Sequence, residues 1–318
     1  MTATTVGEKP SPDGKKTYGR KTDGRKTDRT EAYGTKAYGR KASGKQWTPS
    51  QIVLTALGAA VSAVWTAPLL WALFTSLKSE AEAVALPVRW LPKEWTTQAW
   101  AAIFETGNLP NWFVNSFVVS VCVTSVVVLV AALAGYGFAR TEFRGKNALL
   151  GLVMAGLMVS PAVLGVPLFT TVQSMGMVDT YWGMILPQCA PAAMVYILYK
   201  FFQSIPRELE EAAFIDGAGR WRVFFTIVLP LSRPSLSAVG IFTFIASWNN
   251  FLWPYMVTNN PDLMTMPNGI ATVMNSYGIQ WAQLMAGGLM AGLPLVIVFV
   301  FFQRQIVSGV AHTGLAGQ

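Results

Sequence analysis

Polar and apolar residues are segregated into blocks along most of this chain. Apolar runs cover residues 52–77, ending at Lys78, and residues 117–139, ending at Arg140. Further runs cover residues 148 to about 169, 183 to about 202, 235–257, and 284–302, the last closed by Arg304. A hydrocarbon layer ~30 Å thick needs about 20 apolar residues as helix. The pattern therefore predicts an all-α membrane protein with six transmembrane helices. Pro161 and Pro167 lie near the end of the third run, Pro187 and Pro191 inside the fourth, and Pro294 in the last. A proline frees a backbone carbonyl, which is tolerated at membrane depth only where protein or a water-filled cavity covers it. These positions read either as a bundle lining a pathway or as ordinary kinks. Gly288 and Gly292 form a small-xxx-small pair suited to close helix packing.

Charge gives the runs a direction. Of 318 residues, 52% are hydrophobic and 13% charged, against roughly 25% charged in a soluble domain. Twelve of the 24 Lys and Arg fall in residues 1–50, with only five of the 16 acids. That segment repeats Tyr-Gly and Arg-Lys units without an apolar period, so it reads as a disordered basic tail, 1–50. A stretch at residues 19–27 superficially resembles a phosphate-binding loop. Arg25 stands where that loop needs Lys and no strand precedes it, so the likeness is a product of the repeat. The tail suits a topology anchor beside anionic lipid rather than a nucleic-acid site. The loop after the second run carries Arg140, Arg144 and Lys146; the loop after the fourth carries Lys200, Arg207, Arg220, Arg222 and Arg233. Lys78, Arg89 and Lys93 share one loop on the opposite side. The positive-inside rule then places both termini in the cytoplasm, with a permease domain over 51–310 and a short cytoplasmic tail over 311–318.

Little in the chain suits catalysis or metal binding. His312 is the only histidine, near the C-terminus, and Cys122 and Cys189 lie in apolar runs. No cofactor or metal is expected, and the chain reads as a non-catalytic subunit. The six runs hold no Asp or Glu, which weakens an ion-coupled carrier, since such residues are kept in membranes for ion coupling. Sodium can be held by carbonyls and hydroxyls instead, so a self-contained secondary carrier or channel stays open as the alternative.

The segment between the fourth and fifth runs is the most distinctive: "SIPRELEEAAFIDGAGRWRVFFTIVLPLSRP", residues 204–234. Pro206 can open a helix, the acids at Glu208, Glu210 and Glu211 suit its first turn, and Gly217 suits its stop. A second amphipathic stretch carrying Trp221, Phe224 and Phe225 follows. Such a helix–turn–helix at a membrane surface can lie on lipid or dock into a partner's groove.

Glu211-Ala212-Ala213, then Gly217 after three residues, then Ile227-x-Leu229-Pro230 after nine more, resembles the EAA loop of ABC importer permeases. "NSFVVS" at 115–120, "AGYGFARTEFRGK" at 134–146, "MGMVDTYWGMILP" at 175–187, "SWNNFLWP" at 247–254 and "FFQRQIVSGV" at 301–310 narrow the resemblance to the carbohydrate, maltose-type family, and to its shorter permease subunit. The resemblance covers about residues 50–310. It implies a subunit of a bacterial inner-membrane sugar importer working by alternating access. The partners it implies are a cytoplasmic ABC ATPase dimer, a second homologous permease, an extracytoplasmic sugar-binding protein and the lipid bilayer. The segment around Glu211, Ala212, Ala213, Asp216, Gly217, Ile227, Leu229 and Pro230 would form a cytoplasmic coupling helix. Trp248, Asn249, Asn250 and Tyr255 are candidates for the substrate pathway, although an aromatic interface belt also accounts for Tyr255. The stretch 258–283, with Trp281, would reach toward the binding protein or serve as a plain external cap. Asn250 stands where the family often has an acid, and the end of the chain lacks the family's usual basic residues.

Overall fold

A computed structural model describes residues 48–106, 108–273 and 279–315, with side chains to residue 303 in the last stretch. The expected basic tail lies outside the described residues up to position 47, with its loop-like repeat, as does the side chain of His312; Pro49 and Ser50, counted in that tail, open the first helix instead. The chain divides into two compact units, Met1–Thr55 and Ala56–Gln318. In the first, the described residues are Thr48 and the opening turns of a helix.

Helices account for nearly all the regular structure, and no strand occurs among the described residues. In order they are α1 (Pro49–Ser76), α2 (Glu80–Ala83), α3 (Gln98–Thr106), α4 (Leu109–Arg140), α5 (Lys146–Gly156), α6 (Pro161–Ser174), α7 (Tyr181–Ile185) and α8 (Ala192–Ser204). There follow α9 (Glu208–Ile215), α10 (Arg220–Val223), α11 (Leu229–Leu231), α12 (Arg233–Trp248), α13 (Leu252–Val257), α14 (Met266–Val273) and α15 (Trp281–Leu315). Among these, α1, α4 and the part of α15 over Trp281–Gln303 are unbroken and long and apolar enough to cross a bilayer. Three broken pairs also qualify: α5 with α6, bent by 105°; Tyr181–Gln188 with α8, bent by 44°; and Arg220–Leu231 with α12, bent by 75°.

Several predicted boundaries move. The third apolar run is two helices, with Pro161 opening the second one. The fifth run divides at Asn249 and Asn250. There Asn249 Nδ2 donates to the Ile245 carbonyl at 2.9 Å and Asn250 Oδ1 accepts the Trp253 amide at 3.3 Å, so side-chain amides compete with the helical ladder. The second helix begins eight residues before its apolar run, at Leu109. Its opening turns are polar because Asn115 and Ser116 bond other segments.

The 32-residue α4 organises the second unit. Three buried clusters are strung along it: Leu109 and Trp112 with Trp248, Met266 and Ala286; Val119, Val123 and Val127 with Met184, Ile185 and Trp253; and Ala131, Ala132 and Ala139 with Leu198, Phe202, Val223 and Phe224. At Gly135 the backbone of α8 comes so close that a Cβ would sit 2.9 Å from the Tyr199 nitrogen, so only glycine permits this crossing.

Candidate coupling site and the two ends of α4

Pro206 follows α8, and α9 starts two residues later with Glu208, Glu210 and Glu211 in its first turn, where the exposed amides favour negative charge. Gly217, at φ 80°, ends it. The Gly217 amide donates to the Phe214 carbonyl at 3.0 Å and the Ala218 amide to the Ala213 carbonyl at 2.9 Å, the paired bonds of a Schellman stop. The chain then forms α10, a π-helical turn over Phe224–Val228, and α11, before turning through Ser232 into α12.

The two neighbouring glutamates of α9 face opposite ways. Glu210 is buried, with its Oε1 2.7 Å from Arg140 Nε at the end of α4, both side chains being 6% exposed. The Tyr136 hydroxyl donates to Glu210 Oε2 at 3.2 Å, and Arg140 also donates to the Ile205 carbonyl between α8 and α9. The Tyr136 ring packs on Phe202 and Phe224, so the charged pair lies beside an aromatic wall. Removing one partner of such a pair strands a buried charge, at a cost of about 3–5 kcal/mol. Glu211, by contrast, is exposed, as are Ala212, Asp216, Gly217 and Pro230. Ala213, Ile227 and Leu229 pack against the cluster around Phe202 and Phe224. The predicted motif therefore divides into an outward set and an inward set that holds it. Beside the outward set, Ile215 is 86% and Trp221 69% exposed, and Trp221 stacks on the exposed Phe225. Sequence reasoning overlooked Arg140 and Glu210 as a pair, because nothing local marks Glu210 as the buried one of the two glutamates.

The other predicted residues are neighbours in sequence with different surroundings. Trp248 is 1% exposed, packs against Phe113 and Phe244, and donates to the Ala291 carbonyl at 2.9 Å. Asn250 is half-buried and donates to Gln188 Oε1 at 2.9 Å. Asn249 and Tyr255 are exposed, the latter stacked on Phe251.

At the far end of α4, side chains grip the stretch after α13. Trp112 Nε1 donates to the Pro261 carbonyl at 2.9 Å. Asn115 Nδ2 donates to the carbonyls of Asp262 and Met264 at 2.7 and 3.0 Å, and Ser116 Oγ accepts the Met266 amide at 2.7 Å. Asp179, at φ 56°, accepts the amides of Asn259 and Asn260 at 2.6 and 2.9 Å. Glu80 caps the start of α15 by accepting the amides of Ala282 and Gln283, both at 3.1 Å, and Trp281 opens that helix. Residues 274–278 of the predicted outer stretch lie outside the described residues. No group of three or more His, Cys, Asp or Glu able to hold a metal occurs among the described residues.

Long apolar helices, broken helix pairs and a short surface helix fastened to the end of a span define a multi-span membrane component rather than a soluble domain. Residues 127–312 match the family of binding-protein-dependent transport system inner membrane components, and the chain belongs to that family. It is 35% identical over 265 residues to the diacetylchitobiose uptake system permease protein NgcG of Streptomyces coelicolor, covering 81% of this chain and 87% of that protein. It is 32% identical to the arabinooligosaccharides transport system permease protein AraQ of Bacillus subtilis, over 86% of this chain and 98% of that one. It is 31% identical to the trehalose/maltose transport system permease protein MalG of Thermococcus litoralis, over 84% and 97% respectively. The fold resembles that of a chain in the crystal structure of a bacterial ABC transporter involved in the import of the acidic polysaccharide alginate. The TM-score is 0.68 at 17% identity, covering 81% of this chain and 98% of that one. The family expected from the EAA spacing is thus borne out.

Proposed function

We propose that this chain is one of two homologous permease subunits of an ATP-driven sugar importer. It spans the inner membrane six times, each bent pair counting as one span, with both termini cytoplasmic. In this reading α9 is the coupling helix, seated in a groove of a cytoplasmic ABC ATPase dimer that hydrolyses the ATP. An extracytoplasmic binding protein delivers the sugar, and the stretch 258–283 faces it. Trp248, Asn249, Asn250 and Tyr255 would contribute to the substrate pathway. The sugar class is supported by the relatives, whose names refer to chitobiose, arabinooligosaccharides, trehalose and maltose.

The observation that carries the reading is the outward face of α9. Glu211, Ala212 and Asp216 are exposed beside the exposed Ile215 and Trp221, on a helix whose other face is fixed by a buried ion pair. A small acidic and apolar ridge of this kind suits a groove with a basic residue. The test is to purify the chain from its native membrane through an affinity tag and to measure ATP-dependent uptake of labelled sugars by the reconstituted complex. Retention of an ATPase, and loss of uptake in Glu211→Ala, is expected. Uptake by this chain alone, unaffected by Glu211→Ala, would identify a self-contained carrier instead.

A further inference from the structure

The strongest unassigned feature is the buried charge cluster where α9 meets α4. Glu210 lies on the same turn of α9 as the outward Glu211, yet it is 5% exposed and joined to the last residue of α4. Three contacts of different origin converge there: the Arg140–Glu210 pair, the Tyr136 hydroxyl from one turn earlier on α4, and Arg140 bonded to the Ile205 carbonyl. Helix α9, its lead-in and the end of α4 are therefore tied together at both ends of the linker. The remainder of α4 is unbroken through its 32 residues, about 48 Å at ~1.5 Å per residue. The three broken pairs bend by 44° to 105°. At its far end α4 holds residues 261–266 through Trp112, Asn115 and Ser116.

We propose that Arg140 and Glu210 are positioning residues for energy coupling. Their buried pair makes α9 and α4 move as one body, so that a displacement of α9 is carried along α4 to the segment 261–266 at its other end. This rests on the reading of α9 as the coupling helix. Close-packed interiors transmit displacement instead of absorbing it, and an unbroken helix fastened at both ends does so over the length of a span. A path through α12 is less direct, because α12 meets the preceding segment at a 75° bend. Coupling of this kind is established by a functional separation, not by connectivity.

The experiment uses the intact complex in proteoliposomes and reads sugar transported per ATP hydrolysed. A purely structural pair would lower uptake and hydrolysis in parallel and leave their ratio unchanged. In Arg140→Leu/Glu210→Leu, where neither charge is stranded, we expect the ATPase to be retained and hydrolysis to stay within about twofold, while uptake per ATP falls at least about tenfold. Should that variant fail to accumulate, Arg140→Lys replaces it. Lysine keeps a charge near Glu210 but lacks the fork that reaches both Glu210 and the Ile205 carbonyl, and uptake per ATP is expected to fall about threefold. An unchanged ratio in whichever variant assembles overturns the proposal. A wild-type complex that retains no ATPase overturns the coupling reading itself, a separate and recognisable failure.

Discussion

The Tyr181 hydroxyl donates to Asn115 Oδ1 at 2.5 Å across 66 residues of sequence. That bond orients the Asn115 amide so that its nitrogen meets the carbonyls of Asp262 and Met264. One buried amide thereby joins α4, the start of α7 and the stretch before α14. Asn115→Ala leaves two carbonyls and a hydroxyl short of partners, and a loss of about 2–3 kcal/mol is expected. Asn115→Asp should fail as well, since a carboxylate cannot donate to either carbonyl, whereas Tyr181→Phe should cost only about 1 kcal/mol. Thermal unfolding in detergent, with proteolysis within residues 258–266 as a local probe, checks the order of the three.

Gly269 sits flat against the Trp112 ring. A Cβ there would lie 2.1 Å from Trp112 Cδ2, and the indole is held by its bond to the Pro261 carbonyl. Gly269→Ala is expected to destabilise the protein by about 3 kcal/mol, the upper range for overpacking. Gly269→Ala combined with Trp112→Leu should recover part of the loss. A thermal-shift comparison of the single and double variants decides it, and an unperturbed single variant would contradict the packing described here.

The adjacent glutamates of α9 should differ in what their loss costs. Glu210→Ala leaves Arg140 buried without its partner and should cost about 3–5 kcal/mol. Glu211→Ala alters only an exposed side chain and should stay within about 0.5 kcal/mol of the parent while abolishing uptake. Unfolding temperature and uptake measured on the same preparations give two axes: Glu210→Ala is expected to shift both, through the lost pair with Arg140, and Glu211→Ala uptake alone.

Gly217 occupies the left-handed region at φ 80°, where a Cβ costs roughly 1–2 kcal/mol. No side chain obstructs the position, so the penalty is backbone strain alone. Gly217→Ala should fray the end of α9, and Gly217→Asn should do so less. Faster amide exchange at Gly217 and Ala218 is the expected signature, with the amides of α4 unaffected.

Much of the architecture was legible in the sequence because hydropathy reports a helix's solvent directly. The spans now seen as α1, α4 and the first part of α15 stand out as apolar runs. The stop of α9 at Gly217 was legible too, because it depends on a backbone conformation that glycine adopts without penalty. The opening turns of α4 were not. Asn115 and Ser116 lie outside the apolar run that predicted the span, and their partners 147 to 150 positions away explain why polar side chains stand there in the helix. The break at Asn249 was hidden for the opposite reason, two amides within a long apolar run.

The linear order of apolar blocks, the basic flanks and the spacing from Glu211 to Pro230 were determined by the sequence alone, since each is a property of neighbouring residues or of their bulk solvent. Tertiary structure alone decided which of two adjacent glutamates is buried, that Arg140 is its partner, and that α4 reaches from α9 to the stretch 261–266. Those facts depend on which distant side chain occupies the space beside a group withdrawn from water. A buried charge or amide persists only where a partner 60 to 150 residues away is brought within bonding distance.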